Sequence, residues 1–184
     1  MSKDPNFIDD LLEGVKSNQI SIDEAKAQLS HYDELGFAKI DLHRAKRQGF
    51  PEVIFGEGKT KEQINQIIES LTQHDNVILV TRIDETKAKF VLEHHPYLQY
   101  HSVANIVSTP IEKIKKSQNY ISILCAGTSD LAVAEEAALT AEVMGIQVKR
   151  FYDVGVSGIH RLFNHIHEIR QGKVSVVIAG MEGA

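Results

Sequence analysis

Residues 120–151 limit the fold more than any other stretch of the chain. A continuous apolar run, Tyr120 to Cys125, leads into a loop of small residues, Ala126-Gly127-Thr128-Ser129-Asp130. An alanine-rich helical stretch from Asp130 to Met144 follows, then a second apolar run from Ile146 to Phe151. Short apolar runs of this kind read as strands buried on both faces, and a helix between two of them is the crossover that parallel strands need. Gly145 terminates the helix, as glycine does where the chain must turn left-handed. The rhythm continues with a helix from Ile159 to Arg170 and a third strand from Val174 to Ala179. The fold class that follows is α/β with a parallel sheet in this half.

The first half repeats the theme with more punctuation. Two helices are expected between Asn6 and His31: Phe7, Leu11, Leu12 and Val15 fall at helical spacing, and Ser21 with Glu24 forms a reciprocal cap. Ile22, Ala25 and Leu29 would be the buried stripe of the second helix. A polar block, Asp41-x-x-Arg44-x-x-Arg47, then precedes a short strand at Val53-Ile54-Phe55 and a turn from Gly56 to Thr60. Thr60 caps a helix over 61–72 whose inner face is Ile64, Ile67, Ile68 and Leu71. Val77 to Val80 reads as a strand, Asp84 as the cap of a helix to about His94, and Ser102 to Val107 as a further apolar run. This order predicts a small α/β domain with parallel pairing. Ser108 to Gln118, with Pro110, Lys113, Lys115 and Lys116, is the linker. The organisation expected is a helical lead-in at 1–35, an α/β domain at 36–110 and a second α/β unit at 117–184.

Composition removes several functions. With 184 residues, 42% hydrophobic, the chain can bury one ordinary core or two small ones, so disorder is not its main state. A net charge of −5 without a long basic run gives nucleic acid little to bind. No stretch approaches the roughly 18 apolar residues of a membrane span, and MSKDPNFIDD lacks the apolar core of a signal peptide, so a cytoplasmic protein is expected. Cys125, the one cysteine, cannot build a disulfide framework or a thiolate cage.

Chemistry is expected at the carboxyl ends of the strands, where open α/β sheets bind ligands. The small residues Ala126 and Gly127 let backbone approach a ligand, and Thr128, Ser129 and the free N–H groups of a helix start favour an anion. The same residue types would also serve as plain helix caps. A second loop, Asp153-Val154-Gly155-Val156-Ser157-Gly158-Ile159-His160-Arg161, joins another strand to another helix. His160 can move a proton near neutral pH and Arg161 can fork onto a phosphate, although both also suit a solvated surface. A third, Gly180-Met181-Glu182-Gly183-Ala184, brings the Glu182 carboxylate to the same rim. His94, His95 and His101, and the pair His165 and His167, have spacings that split them across faces, so no metal site is expected. Gly56-x-Gly58-Lys59-Thr60 has its first glycine misplaced for a phosphate loop, which leaves Lys59 as a weak nucleotide contact. Cys125 reads as a small core residue.

Taken together, CAGTSDLAVAEEAALTAEVMG, YDVGVSGIHRL and VVIAGMEGA resemble the LarB-type pyridinium-3,5-biscarboxylic acid mononucleotide synthases, and DLHRAKRQGFPEVIFGEGKT is similar to the signature of that family's N-terminal domain. The second unit is more distantly similar to aminoimidazole ribonucleotide carboxylases and mutases, whose G-S-x-S-D falls on Ala126 to Asp130 and whose S-A-H-R falls on Ser157 to Arg161. The departures are Ala126-Gly127 in place of the first glycine and serine, and Gly158-Ile159 in place of one alanine. The resemblance implies a doubly wound, flavodoxin-like sheet in the second unit. It implies carboxylation of nicotinic acid adenine dinucleotide at C5 of its pyridinium ring by carbon dioxide or bicarbonate. Hydrolysis to AMP and the dicarboxylated mononucleotide follows, the first step toward the nickel-pincer cofactor of lactate racemase. Asp130, His160 and Glu182 would manage protons. Ala126, Gly127, Thr128, Ser129, Ser157, Gly158, Arg161 and Gly180 would hold substrate, with Asp41, Arg44 and Lys59 as contacts from the N-terminal domain. No tightly bound cofactor is implied, and a role for Mg²⁺ in the hydrolysis is left open. A homo-oligomer is expected.

The resemblance also implies a transient cysteine adduct. The family's cysteine belongs to a later segment that Cys125 does not match. The span from Ser117 to Ala184 holds three strands and two helices, short of the roughly 130 residues of a five-stranded doubly wound sheet. The chain is therefore expected to be C-terminally truncated and inactive in carboxylation. The competing readings are a carboxyaminoimidazole ribonucleotide mutase of the purine pathway and a non-catalytic nucleotide-binding or assembly module.

Overall fold

A computed structural model describes residues 7–29, 32–42, 44, 48–73, 77–180 and 183. Two short helices come first, α1 (Phe7–Lys16) and α2 (Ile22–Leu29). The reciprocal cap opens α2: the Glu24 N–H donates to Ser21 Oγ at 3.1 Å and the Ser21 N–H to Glu24 Oε2 at 2.8 Å. Leu11 and Ala25 are buried, whereas Ile22 is 64% exposed and is not part of the inner stripe. An antiparallel hairpin follows, β1 (Tyr32–Glu34) with β2 (Lys39–Asp41), turned at Gly36 with φ +79°. Asn6, His31 and Arg47 lie outside the described residues.

The next sheet has the order β3-β4-β6-β5, built from β3 (Ile54–Phe55), β4 (Leu79–Thr81), β5 (Gln99–His101) and β6 (Ile106–Ser108). Here the all-parallel expectation is corrected. Only β3 and β4 run parallel in it; β4 with β6, and β5 with β6, are antiparallel. The reason is local: residues 102–105 are a turn rather than strand, with Asn105 left-handed at φ +52°, so β5 and β6 close as a hairpin instead of crossing over. Two helices, α3 (Lys61–Thr72) and α4 (Glu85–His94), pack on this sheet, burying Ile64, Ile67, Ile68, Leu71, Ala88 and Val91.

The third sheet is parallel throughout, in the order β8-β7-β9, from β7 (Tyr120–Cys125), β8 (Gln147–Phe151) and β9 (Ser175–Ile178). Helix α5 (Leu131–Val143) covers one face and α6 (Ile159–Gln171) the other. This is the α/β arrangement expected. Gly145 ends the α5 segment at φ +80°.

The alanines of α5 have a physical cause. Ala134 and Ala138 lie against Ile123 and Cys125 of the parallel sheet, while Leu139 and Val143 enter a second core with Leu79, Ala104 and Ile106 of the mixed sheet. A helix packed on two sides must be apolar nearly all round. The linker is drawn into the same core: Ile111 and Ile114 pack against it, and Thr109 exchanges two hydrogen bonds with the Ile78 backbone. No helix among the described residues is long and apolar enough to cross a membrane.

Candidate active site

The two principal loops are laced together at the carboxyl end of β7. Val154 and Gly155 donate their N–H groups to the carbonyls of Cys125 and Ala126, each at 3.1 Å, and the Ala126 N–H donates to Ile178 at 3.0 Å. The loops after β7, β8 and β9 therefore meet on one rim. Gly155 is required by this closeness, since a Cβ there would lie 2.8 Å from the Ala126 carbonyl oxygen. Gly127 is different: a Cβ there would be 3.9 Å from Asp130 Oδ2, an ordinary contact, so the protein itself leaves that position open.

Asp130 is the centre of the rim. It stands at the start of α5, yet its side chain makes no cap hydrogen bond, so capping does not account for it. A Cβ built on Gly180 would fall 4.0 Å from its Oδ1, which puts the third loop beside the same carboxylate. Thr128 and Ser129 form a 3-10 turn ahead of it and are exposed. On the second loop Ser157 lies in a similar turn, and His160 is exposed in the first turn of α6. Glu182 lies outside the described residues.

Arg161 is held rather than free. Its Nη1 donates to Asp153 Oδ2 at 2.6 Å, and its guanidinium lies so close over Gly158 that a Cβ there would come within 2.6 Å of it. Both partners are substantially exposed, so the pair orients the guanidinium more than it stabilises the fold. Asp153 itself sits at φ +57°, a region asparagine and aspartate enter more readily than most residues. Sequence reasoning passed over Asp153 as a functional residue. The left-handed tolerance of aspartate at the end of a strand was the available signal.

Cys125 is buried, and its thiol donates to the Gly127 carbonyl at 3.0 Å. Burial pushes this thiol up from its ordinary value, and the nearby Asp130 and Asp153 carboxylates push the same way against two backbone hydrogen bonds. It packs as a core residue against Ile123, Ala134 and Ala138. An apolar cavity of about 130 Å³ adjoins it, walled by Leu124, Val154, Ile159, Leu162 and Val177.

The N-terminal candidates lie in the first unit. Arg44 pairs with Glu52 at 3.5 Å inside its own unit, Asp41 belongs to the β2 strand, and Lys59 follows Gly58 in the turn before α3. That turn does approach α5 indirectly. Arg82, left-handed at φ +54°, reaches Glu57 at 3.9 Å and holds Glu136 of α5 by Nε at 3.0 Å to each oxygen. Among the described residues no cluster of three or more histidine, cysteine or acidic side chains could hold a metal.

A profile of the LarB/PurE-like N-terminal domain matches residues 32–112, from β1 through the 3-10 turn that follows β6. An uncharacterised protein of Methanocaldococcus jannaschii aligns over 187 positions at 37% identity, covering 95% of this chain and 73% of that protein. The chain belongs to the LarB/PurE-like family. The LarB/PurE-like family includes carboxylases and mutases.

Proposed function

We propose that this chain is of the LarB branch and acts on nicotinic acid adenine dinucleotide. Its pyridinium ring is carboxylated at C5 with carbon dioxide or bicarbonate, and the phosphoanhydride is hydrolysed to AMP and pyridinium-3,5-biscarboxylic acid mononucleotide. The observation that carries the reading is Asp130, a helix-start carboxylate that caps nothing and faces the loops after β7 and β9. A carboxylate left out of the cap is available to take the ring proton at C5 or to orient water at the anhydride. Ser129, Thr128 and the uncapped start of α5 suit a phosphate, and Arg161, fixed by Asp153, suits a phosphate or the ring carboxylate. His160, in the first turn of α6, and Glu182 are both assigned proton transfer from the resemblance.

The thiolate that the resemblance implies is not Cys125, whose proton is held by burial and whose sulfur bonds the Gly127 carbonyl. These loops bind substrate and handle protons, and the adduct is left to a cysteine elsewhere. A cytoplasmic homo-oligomer belongs to the same reading and is checked by mass in solution.

Titration with nicotinic acid adenine dinucleotide and with carboxyaminoimidazole ribonucleotide tests the assignment. The dinucleotide should bind, and Asp130→Ala and Arg161→Ala should each weaken it. Preference for the imidazole nucleotide would move the chain to the purine branch and overturn the reading. Incorporation of labelled bicarbonate, compared between this chain and a longer one, then separates binding from chemistry.

A further inference from the structure

A cleft of about 440 Å³ lies between the two units, within the size range of small-molecule sites and more than three times the cavity beside Cys125. One wall is β5 and the turn after it, carrying Tyr100, His101 and Val103; the other is α5 and the residue after β8, carrying Leu131, Glu135 and Tyr152. The residues of the cleft adjoin those of the rim at two points of the chain. Leu131 directly follows Asp130, and Tyr152 directly precedes Asp153.

The far wall holds a carboxylate in a fixed place. Glu135 accepts from the Tyr152 hydroxyl at 2.7 Å and from Arg150 Nε at 3.3 Å, while the other side of that guanidinium is bound to Glu142 at 3.0 and 2.7 Å. Burial pushes the Glu142 carboxyl up, but Arg150, with help from Lys116, outweighs it and keeps Glu142 ionised. Arg150 is thus spent on two carboxylates and offers a phosphate little. Glu135 has only two of its roughly four acceptor positions filled, which suits the paired hydroxyls of a ribose. His101 lines one wall and Tyr152 the other, and burial holds the His101 ring below the usual histidine range, so a neutral ring is offered there; Tyr100 packs on the core of the mixed sheet and its hydroxyl donates to Asn105.

We infer that this cleft receives a purine nucleoside, with the base between the rings of His101 and Tyr152 and the ribose hydroxyls on Glu135. The acidic wall repels phosphates, which are directed along Leu131 toward the uncapped start of α5. The inference rests on the dinucleotide reading above and gives its adenosine half a place, leaving the pyridinium half to the rim.

Calorimetric titration of the full chain with AMP tests it, alongside nicotinic acid mononucleotide. Val103 is 52% exposed on the 102–105 turn, so Val103→Trp fills the cleft without entering a core. It should weaken AMP by about tenfold or more, the worth of one stacking contact, and far more than it weakens the mononucleotide. Glu135→Gln should weaken AMP while leaving 2′,3′-dideoxy-AMP at its wild-type affinity, a split that mere loosening of the fold would not give; circular dichroism confirms that both variants fold. AMP that fails to bind, or binds Val103→Trp as tightly as wild type, overturns the cleft. AMP behaving as expected while the mononucleotide fails to bind keeps the cleft and overturns the dinucleotide reading instead.

Discussion

The two sheets start their helices differently. In the mixed sheet both helix starts are capped by side chains: Thr60 and Gln63 form a complete capping box on α3, and Asp84 accepts from the Lys87 N–H on α4. In the parallel sheet neither is, since Asp130 and Gly158 make no side-chain cap hydrogen bond. Helix N-terminal N–H groups need partners, and in the first unit the protein supplies them. In the second the Asp130, Leu131 and Gly158 N–H groups turn back onto the Gly127, Thr128 and Gly155 carbonyls in 3-10 turns, at the edge where the three loops converge. One unit closes its helix starts with side chains and the other does not.

The comparison can be broken by substitution, beginning with the first unit's core. Ile68 is fully buried between α3 and its sheet, so Ile68→Ala should cost about 2–5 kcal/mol in urea unfolding. Val177→Ser, on the half-open face of β9, should stay within about 0.5 kcal/mol. Equal losses would show the two units to be equally closed. Next comes the lacing of the rim: Gly155→Ala drives a methyl against the Ala126 carbonyl and should cost about 1–3 kcal/mol, with dinucleotide affinity falling as the loops part. Gly127→Ala meets no such contact and should leave stability alone while lowering affinity.

The caps give the sharpest contrast at smaller size. Thr60→Ala should lose about 1 kcal/mol with binding unchanged. Asp130→Ala should change stability by less than about 0.5 kcal/mol and weaken binding. A stability loss at Asp130 matching that at Thr60 would restore the plain cap and remove the main support for the site.

The smallest effect is one of pH. His95 is buried beneath α3, its Nε2 2.9 Å from Asn65 Oδ1 and its Nδ1 3.4 Å from the Tyr97 hydroxyl. Burial holds this imidazole below the usual histidine range, with Glu69 opposing and His94 assisting. The unfolded chain therefore takes up the proton first, near pH 6.5. The stabilisation is fully present above that pH and is lost as pH falls toward the folded value. His101 is shifted the same way and adds the same sign. His95→Gln should flatten the decline in urea midpoint between pH 7 and 5; an unchanged slope would assign it to other groups.

Much of this was legible in local pattern. The caps at Thr60 and Asp84, the Ser21–Glu24 box and the strand–loop–helix run from Tyr120 to Val143 each follow from residues within one or two turns of each other. What was not legible depends on distant partners. The reversal of β5 and β6 rests on a left-handed Asn105, and its carbonyl accepts the Ile83 N–H across the sheet. The cleft needs Glu135 and Glu142 on one face of α5 to meet Arg150 and Tyr152 on a strand, which no single window of sequence displays. The sequence singles out Asp130, but only its geometry separates it from a cap.

Helix α5 has a consequence for anyone cutting this protein apart. Its Ala134 side belongs to one core and its Leu139 side to another, so it is a party wall rather than the property of either unit. A fragment ending in the linker would expose Leu79 and Ile106, and a fragment beginning there would expose Leu139 and Val143. Expressed separately, each half should be sticky and poorly soluble, and mixing the two should restore solubility. Melting of the intact chain should show a single transition through both sheets.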